Sequence, residues 1–150
     1  MEPANISFQR RTLGSLLRFA DRTLRARVYA RLADAGFPDL RPAHSSLLRN
    51  MAGGGSRITE LAAAAQMTKQ SMGYLADSLA AAGYVTQEPD ETDRRAKQVR
   101  LTEKGRAASE AMVRLSAETE REFARLIGLE EMAQLRRLLE QLADGLLESR

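Results

Sequence analysis

Cysteine is absent from this 150-residue chain, and tryptophan with it. Without a thiol there is no disulfide, no thiolate-bound metal and no thiol redox switch. A single histidine, His44, leaves too few nitrogen ligands for a transition-metal site. No run approaches the ~18 consecutive apolar residues that a membrane-spanning helix needs. The segment from Met1 to Arg11 is polar and lacks the apolar centre of a secretory signal, so a cytoplasmic location is expected. Enzymatic chemistry fares poorly as well. There is no cysteine nucleophile, no histidine-bearing triad pattern and no metal cluster, and no cofactor is expected. The run Gly53-Gly54-Gly55 invites comparison with a phosphate loop, but no Lys-Ser/Thr follows it and no strand leads into it. It reads as a turn between helices.

What the chain does have is an uneven charge. The net charge is only +3, yet residues 1–56 hold nine basic side chains against four acids, and residues 107–150 hold six against nine. Between Arg94 and Arg106 lie six basic residues and one acid, Glu103. A basic cluster beside an acidic C-terminal third suggests a polyanion-binding face and a separate assembly face.

Hydrophobic spacing supplies the elements. Leu13, Leu17, Leu24 and Val28 form one stripe of a helix from Phe8 to about Ala35, broken by Gly36-Phe37-Pro38. A second helix is predicted from Pro42 to about Ala52. Ser56 to Gln66 reads as a short helix with Ile58, Leu61 and Ala62 inward. Met67 turns the chain, and Thr68 is a good N-cap for a helix to about Ala82, with Met72, Leu75 and Leu79 inward and Gly83 as its stop. Two short helices joined this tightly form a helix-turn-helix candidate. Tyr84 to Glu88 and Lys97 to Leu101 then read as the strands of a hairpin with a charged tip. Thr102 caps a long helix to about Ile127, with Met112, Leu115, Phe123 and Leu126 as its apolar positions. After Gly128 a last helix carries Met132, Leu135, Leu139, Leu142 and Leu146. The terminal helices hold more leucine than a small lobe needs to cover itself. That surplus fits either packing within the chain or pairing with a second copy.

The hairpin segment, DETDRRAKQVRLTEKGR from Asp90 to Arg106, resembles the wing of regulators of the multiple antibiotic resistance regulator (MarR) family. Asp93, Arg94, Arg95, Lys97, Val99, Leu101, Thr102 and Gly105 all fit that family's pattern. Upstream, Ile58-Thr59-Glu60-Leu61-Ala62 and the run from Met67 to Val85 are similar to its helix-turn-helix, and helix order matches over roughly residues 8 to 147. The resemblance implies a mainly α fold with a small β-hairpin. A winged helix-turn-helix lobe would occupy about 40–104, with dimerisation helices at about 8–36 and 105–148. It tips the leucine surplus toward a homodimer. It implies a sequence-specific regulator of double-stranded DNA acting on a pseudo-palindromic operator, a repressor released by a small phenolic or anionic effector. The competing readings are a sequence-independent DNA-coating protein, for which +3 is a small charge, and a helical interaction module, which leaves the basic wing unexplained.

In the docking that the resemblance implies, the helix after Thr68 enters the major groove. Gln70 can pair bidentately with adenine, and Gly73 permits close backbone approach. Thr68, Lys69 and Ser71 suit phosphate oxygens near the helix start. Tyr74 and Arg57 join the DNA-contacting set. Arg95 is the expected minor-groove arginine, with Arg94 and Lys97 on phosphates. Asp93 would pair with Arg95 or brace the turn. His44 is a candidate for lining an effector pocket, and Arg18, Arg22 and Arg25 could face an anion, although exposed surface suits them better. Where the family often has basic residues in the first wing strand, this chain has Gln87 and Glu88. Tyr74 replaces a frequent arginine, Glu91 a frequent proline and Gln66 a frequent glycine. These departures bear on sequence preference and affinity rather than on docking mode.

Overall fold

Thr12 opens the first helix of the computed structural model, which describes residues 12–149. Its hydroxyl accepts the Ser15 N–H at 3.2 Å, an N-cap for α1 (Leu13–Asp34). The expected start at Phe8 lies outside the described residues. Pro42–His44 forms a 3-10 turn that runs into a single α-helical turn, α2 (Ser45–Leu48). The helix predicted to about Ala52 therefore stops early. The Asn50 side chain donates to the Ser46 carbonyl at 2.7 Å and the Ala52 N–H to Ser56 Oγ at 2.9 Å, so the chain turns away before the glycines.

It turns into a strand that hydrophobic spacing does not reveal. β1 (Ser56–Arg57) precedes α3 (Ile58–Ala64), where one continuous helix was expected from Ser56. Two residues are too few to show a period of two. α4 (Lys69–Ala81) follows, then β2 (Val85–Pro89) and β3 (Lys97–Leu101). The sheet has three antiparallel strands in the order β1-β3-β2, with Ser56 opposite Val99 and Gln87 opposite Val99 on the other side. The expected two-stranded hairpin thus gains an edge. Pro89 sits on β2, itself an edge strand, where its missing N–H disturbs nothing. The chain ends in α5 (Glu103–Ile127) and α6 (Leu129–Glu148).

Between α3 and α4 the turn is closed by the Met67 N–H on the Ala62 carbonyl at 2.8 Å. Gln66 takes a left-handed φ of 54° to make it. A non-glycine residue there costs on the order of 1–2 kcal/mol, which explains why glycine suits the position.

Leu32 of α1, Leu47, Leu61, Met72, Leu79, Tyr84 and Val99 meet in one buried core with Ala108, Ala111 and Leu115 of α5. Each large aliphatic side chain buried this way contributes ~1.5–3 kcal/mol. Thr102 caps α5, and its hydroxyl donates to the Gly83 carbonyl at 2.6 Å while accepting the Gly105 N–H at 3.0 Å. Gly105 has no room for a side chain, because a Cβ there would overlap the Tyr84 carbonyl oxygen. α1 and α5 are tied by Arg31, which donates to Thr119 Oγ1 at 3.2 Å and pairs with Glu122. That guanidinium holds the Glu122 carboxyl below the usual carboxylate range.

The apolar stripes expected inside fare differently along their lengths. Val28 is buried, but Leu13 and Leu17 at the other end of α1 are exposed. Leu126 of α5 is exposed too, and small residues, Ala108, Ala111 and Ala124, carry much of that helix's buried face. On α6 not one residue is buried among those described.

Candidate nucleic-acid interface

The face of α4 opposite Met72, Ala76 and Leu79 is the exposed one. Thr68 caps it, its hydroxyl accepting the Ser71 N–H at 3.1 Å and donating to Ser71 Oγ at 2.8 Å. This leaves Lys69, Gln70 and Tyr74 in solvent. Gln70 Nε2 donates to the Tyr74 hydroxyl at 3.1 Å, so the two side chains of the reading face orient each other. Tyr74 is 65% exposed, its ring open to solvent beside Gln70.

A groove of about 510 Å³ separates this face from the hairpin. α4 contributes Lys69, Gln70, Gly73 and Asp77; the hairpin contributes Arg95 and Lys97; Arg57 and Thr59 close one end. Residues distant in sequence thus converge on one basic concavity. Lys69, Arg94, Arg95 and Lys97 make no ion pair among the described residues, which leaves their charge available to a polyanion. Asp77 is the exception in sign. Its Oδ1 accepts from Gln87 Nε2 at 2.7 Å, linking α4 to β2.

Asp93 takes the second of its two expected roles, while Arg57 and His44 have other employment than expected. Asp93 does not pair with the Arg95 guanidinium; its Oδ1 accepts the Arg95 backbone N–H at 3.0 Å and so braces the turn. Arg57, expected on DNA, has its guanidinium engaged by Asp90, with Nε–Oδ2 at 2.9 Å and Nη2–Oδ1 at 2.8 Å. His44, a candidate for an effector pocket, is buried with both ring nitrogens occupied. Nδ1 accepts the Arg41 N–H at 3.0 Å, which places the neutral ring's proton on Nε2, 3.1 Å from Ser78 Oγ on the back of α4. Burial, assisted by Arg41, lowers its pKa and favours that neutral ring. It holds the reading helix to the 3-10 turn.

The residue that sequence reasoning missed is Asp90. It lies at the foot of the hairpin loop, 6% exposed, and the Arg57 pairing holds its carboxyl far below the usual carboxylate range. An aspartate followed by Thr92 and Asp93 signals a local turn, but nothing local points to an arginine 33 positions upstream.

A capped helix laid beside a basic β-hairpin across one groove defines a winged helix-turn-helix DNA-binding protein. Residues 39–96 match the family model described as MarR family. Solved structures extend the likeness over most of the chain. The reduced form of MarR from E. coli superposes with a TM-score of 0.77 at 22% identity, covering 87% of this chain and 96% of that one. A probable transcriptional regulator from Pseudomonas aeruginosa gives 0.67 at 26% identity, covering 88% and 97%. The transcriptional repressor CouR, solved on a 23-mer DNA duplex, gives 0.68 at 25% identity, covering 95% and 98%. No curated protein matches the chain. The fold and the matched segment are those of a DNA-binding transcriptional regulator, and they are similar to the regulators of the MarR family.

Proposed function

We propose that two copies of the chain, joined through α1, α5 and α6, bind a pseudo-palindromic operator in the cytoplasm and repress transcription from it. The observation that carries the DNA-reading half is the groove shared by Gln70 and Lys69 of α4 with Arg95 and Lys97 of the hairpin. In this reading Gln70 pairs with an adenine edge, and Thr68, Lys69 and Ser71 hold phosphates at the helix start. Tyr74 orients Gln70. Arg95 enters the minor groove, flanked by Arg94 and Lys97 on the backbone.

The exposed leucines of α6 and the outer end of α1 support the second copy, because a contiguous apolar stripe gains free energy by leaving water. CouR, a repressor held on duplex DNA, supports repression as the mode. Release by a small phenolic or anionic effector rests on the family resemblance, and the hydrogen bonds of His44 to Arg41 and Ser78 leave neither ring nitrogen free in this state. The fold and matched segment are those of regulators rather than enzymes. Among the described residues no helix is long and apolar enough to cross a membrane.

A panel of three variants tests the reading on duplexes recovered from a random-sequence library. Gln70→Ala is expected to cost ~1–3 kcal/mol on the best site and flatten preference at one position per half-site. Lys97→Ala should weaken all sequences alike and lower the salt slope by roughly one unit per bound lysine. Arg95→Ala should weaken binding most where the flanks are A·T-rich. Equal losses on A·T-rich and G·C-rich flanks would remove the minor-groove assignment. No recovered sequence at all would remove the function.

A further inference from the structure

Besides the Gln87–Asp77 link between β2 and α4, a side-chain cluster at the edge of the groove joins β1 to the foot of the wing loop. Asp90 accepts five hydrogen bonds. Two come from the Arg57 guanidinium, at 2.9 and 2.8 Å; the Thr92 hydroxyl adds one at 2.6 Å, and the N–H groups of Thr92 and Asp93 add two at 2.9 and 3.0 Å. Arg57 Nη2 reaches the Thr92 hydroxyl as well, at 2.6 Å. The arginine's own backbone N–H donates to Glu60 Oε2 at 3.1 Å, in the first turn of α3. A planar guanidinium therefore bridges the start of the helix-turn-helix to the foot of the wing loop, in the parallel two-bond geometry that a lysine cannot reproduce.

The backbone alone gives this junction little rigidity. β1 pairs with β3 over two residues only. The loop from Asp90 to Ala96 is closed by the Asp90 N–H on the Ala96 carbonyl and the Ala96 N–H on the Asp93 carbonyl, both at 2.9 Å. Within the loop sit Arg94 and Arg95, whose long side chains gain from a fixed base if they are to meet DNA without ordering the whole tip on contact. Arg57 lines the groove, but Asp90 neutralises its charge on the spot, unlike that of Lys69 or Lys97.

We propose that Arg57 and Asp90 are positioning residues that fix the wing tip relative to the recognition helix, so that Arg95 reaches flanking DNA while α4 occupies the groove. The proposal rests on the DNA-reading function argued above. Its prediction is specific: the clamp governs the flanks and leaves the bases read by Gln70 alone.

The test uses the full chain and the duplex that it enriches from a random library, resynthesised with A·T-rich or G·C-rich flanks. Arg57→Met keeps the aliphatic stem and removes the fork. It should weaken the A·T-flanked duplex roughly tenfold and bring the flank ratio close to one, with the core preference unchanged. Arg57→Lys should fail to restore the ratio, and it carries the same prediction with a smaller disturbance of the fold. Asp90→Asn should lose as much as Arg57→Met, and the double variant no more than either alone. A different pattern overturns the proposal: recovery by lysine together with additive losses in the double variant would make Arg57 a direct phosphate contact. An unchanged flank ratio would make the clamp a structural tie only. A wild-type chain that enriches no sequence would overturn the DNA-reading function, and the clamp's role would fall with it.

Discussion

Leu47, Leu61, Met72 and Leu79, in the DNA-reading lobe, are 1% exposed or less, whereas Leu135, Leu138, Leu142 and Leu146 on α6 are between 43% and 59% exposed. Both sets are leucine-rich and both lie on regular helices, so composition does not separate them. The lobe closes on itself because α2, α3, α4 and the sheet present their apolar faces to one centre, and α5 covers the remaining side. Among the described residues α6 has only α5 and the outer part of α1 nearby, and an open groove of about 500 Å³ lies between the three, lined by Leu17, Leu24, Phe123, Met132, Leu135 and Leu139. One region satisfies its hydrophobic side chains within the chain. The other leaves them exposed among the described residues.

That contrast can be broken most decisively on α6. Leu139→Glu should halve the mass seen by light scattering at micromolar concentration and reduce affinity for a two-half-site duplex by ~10²–10⁴, since the second half-site is no longer engaged intramolecularly. An unchanged mass together with unchanged affinity would mean that the open stripe is not the assembly face.

Next in size is the seam where the lobe meets the terminal helices. Gly105→Ala should destabilise the fold by more than about 3 kcal/mol, because the new Cβ meets backbone at Tyr84 rather than a movable side chain. Thermal or urea unfolding reads this directly, and a loss below 1 kcal/mol would mean that the α5 start is looser than the geometry shows.

Smaller and more selective is a pH effect carried by the lobe alone. His44 has a folded pKa below its ordinary 6.5, so the unfolded chain binds the proton more readily. Its contribution is therefore fully present above about pH 6.5 and is lost as pH falls through the lowered folded value. Stability measured between pH 7.5 and 5 should decline, and His44→Gln should flatten that decline. An equally steep decline in the variant would assign the effect elsewhere.

The smallest effect sharpens the comparison within the lobe. Thr68→Ala should cost ~1 kcal/mol through loss of the α4 cap, with no change in oligomeric mass. A change in mass would couple the reading helix to assembly in a way that the separated cores do not suggest.

Sequence patterning by itself determined α4, its Thr68 cap, its Gly83 stop, strand β3 and the Thr102-capped α5, because each is written in contiguous residues whose spacing or cap chemistry is local. It also marked the basic cluster from Arg94 to Arg106 as a candidate polyanion-binding face. Tertiary structure alone decided the rest. β1 is two residues long and exists because β3 offers it a partner. His44 became a buried link because Ser78, 34 residues on, comes within 3.1 Å of its ring. Arg57 became half of a clamp because Asp90 is folded against it. Which part of a leucine stripe is covered was likewise undecided until α1 and α5 crossed. Periodicity states that a face is apolar, and only the packing of distant elements determines whether anything is there to cover it.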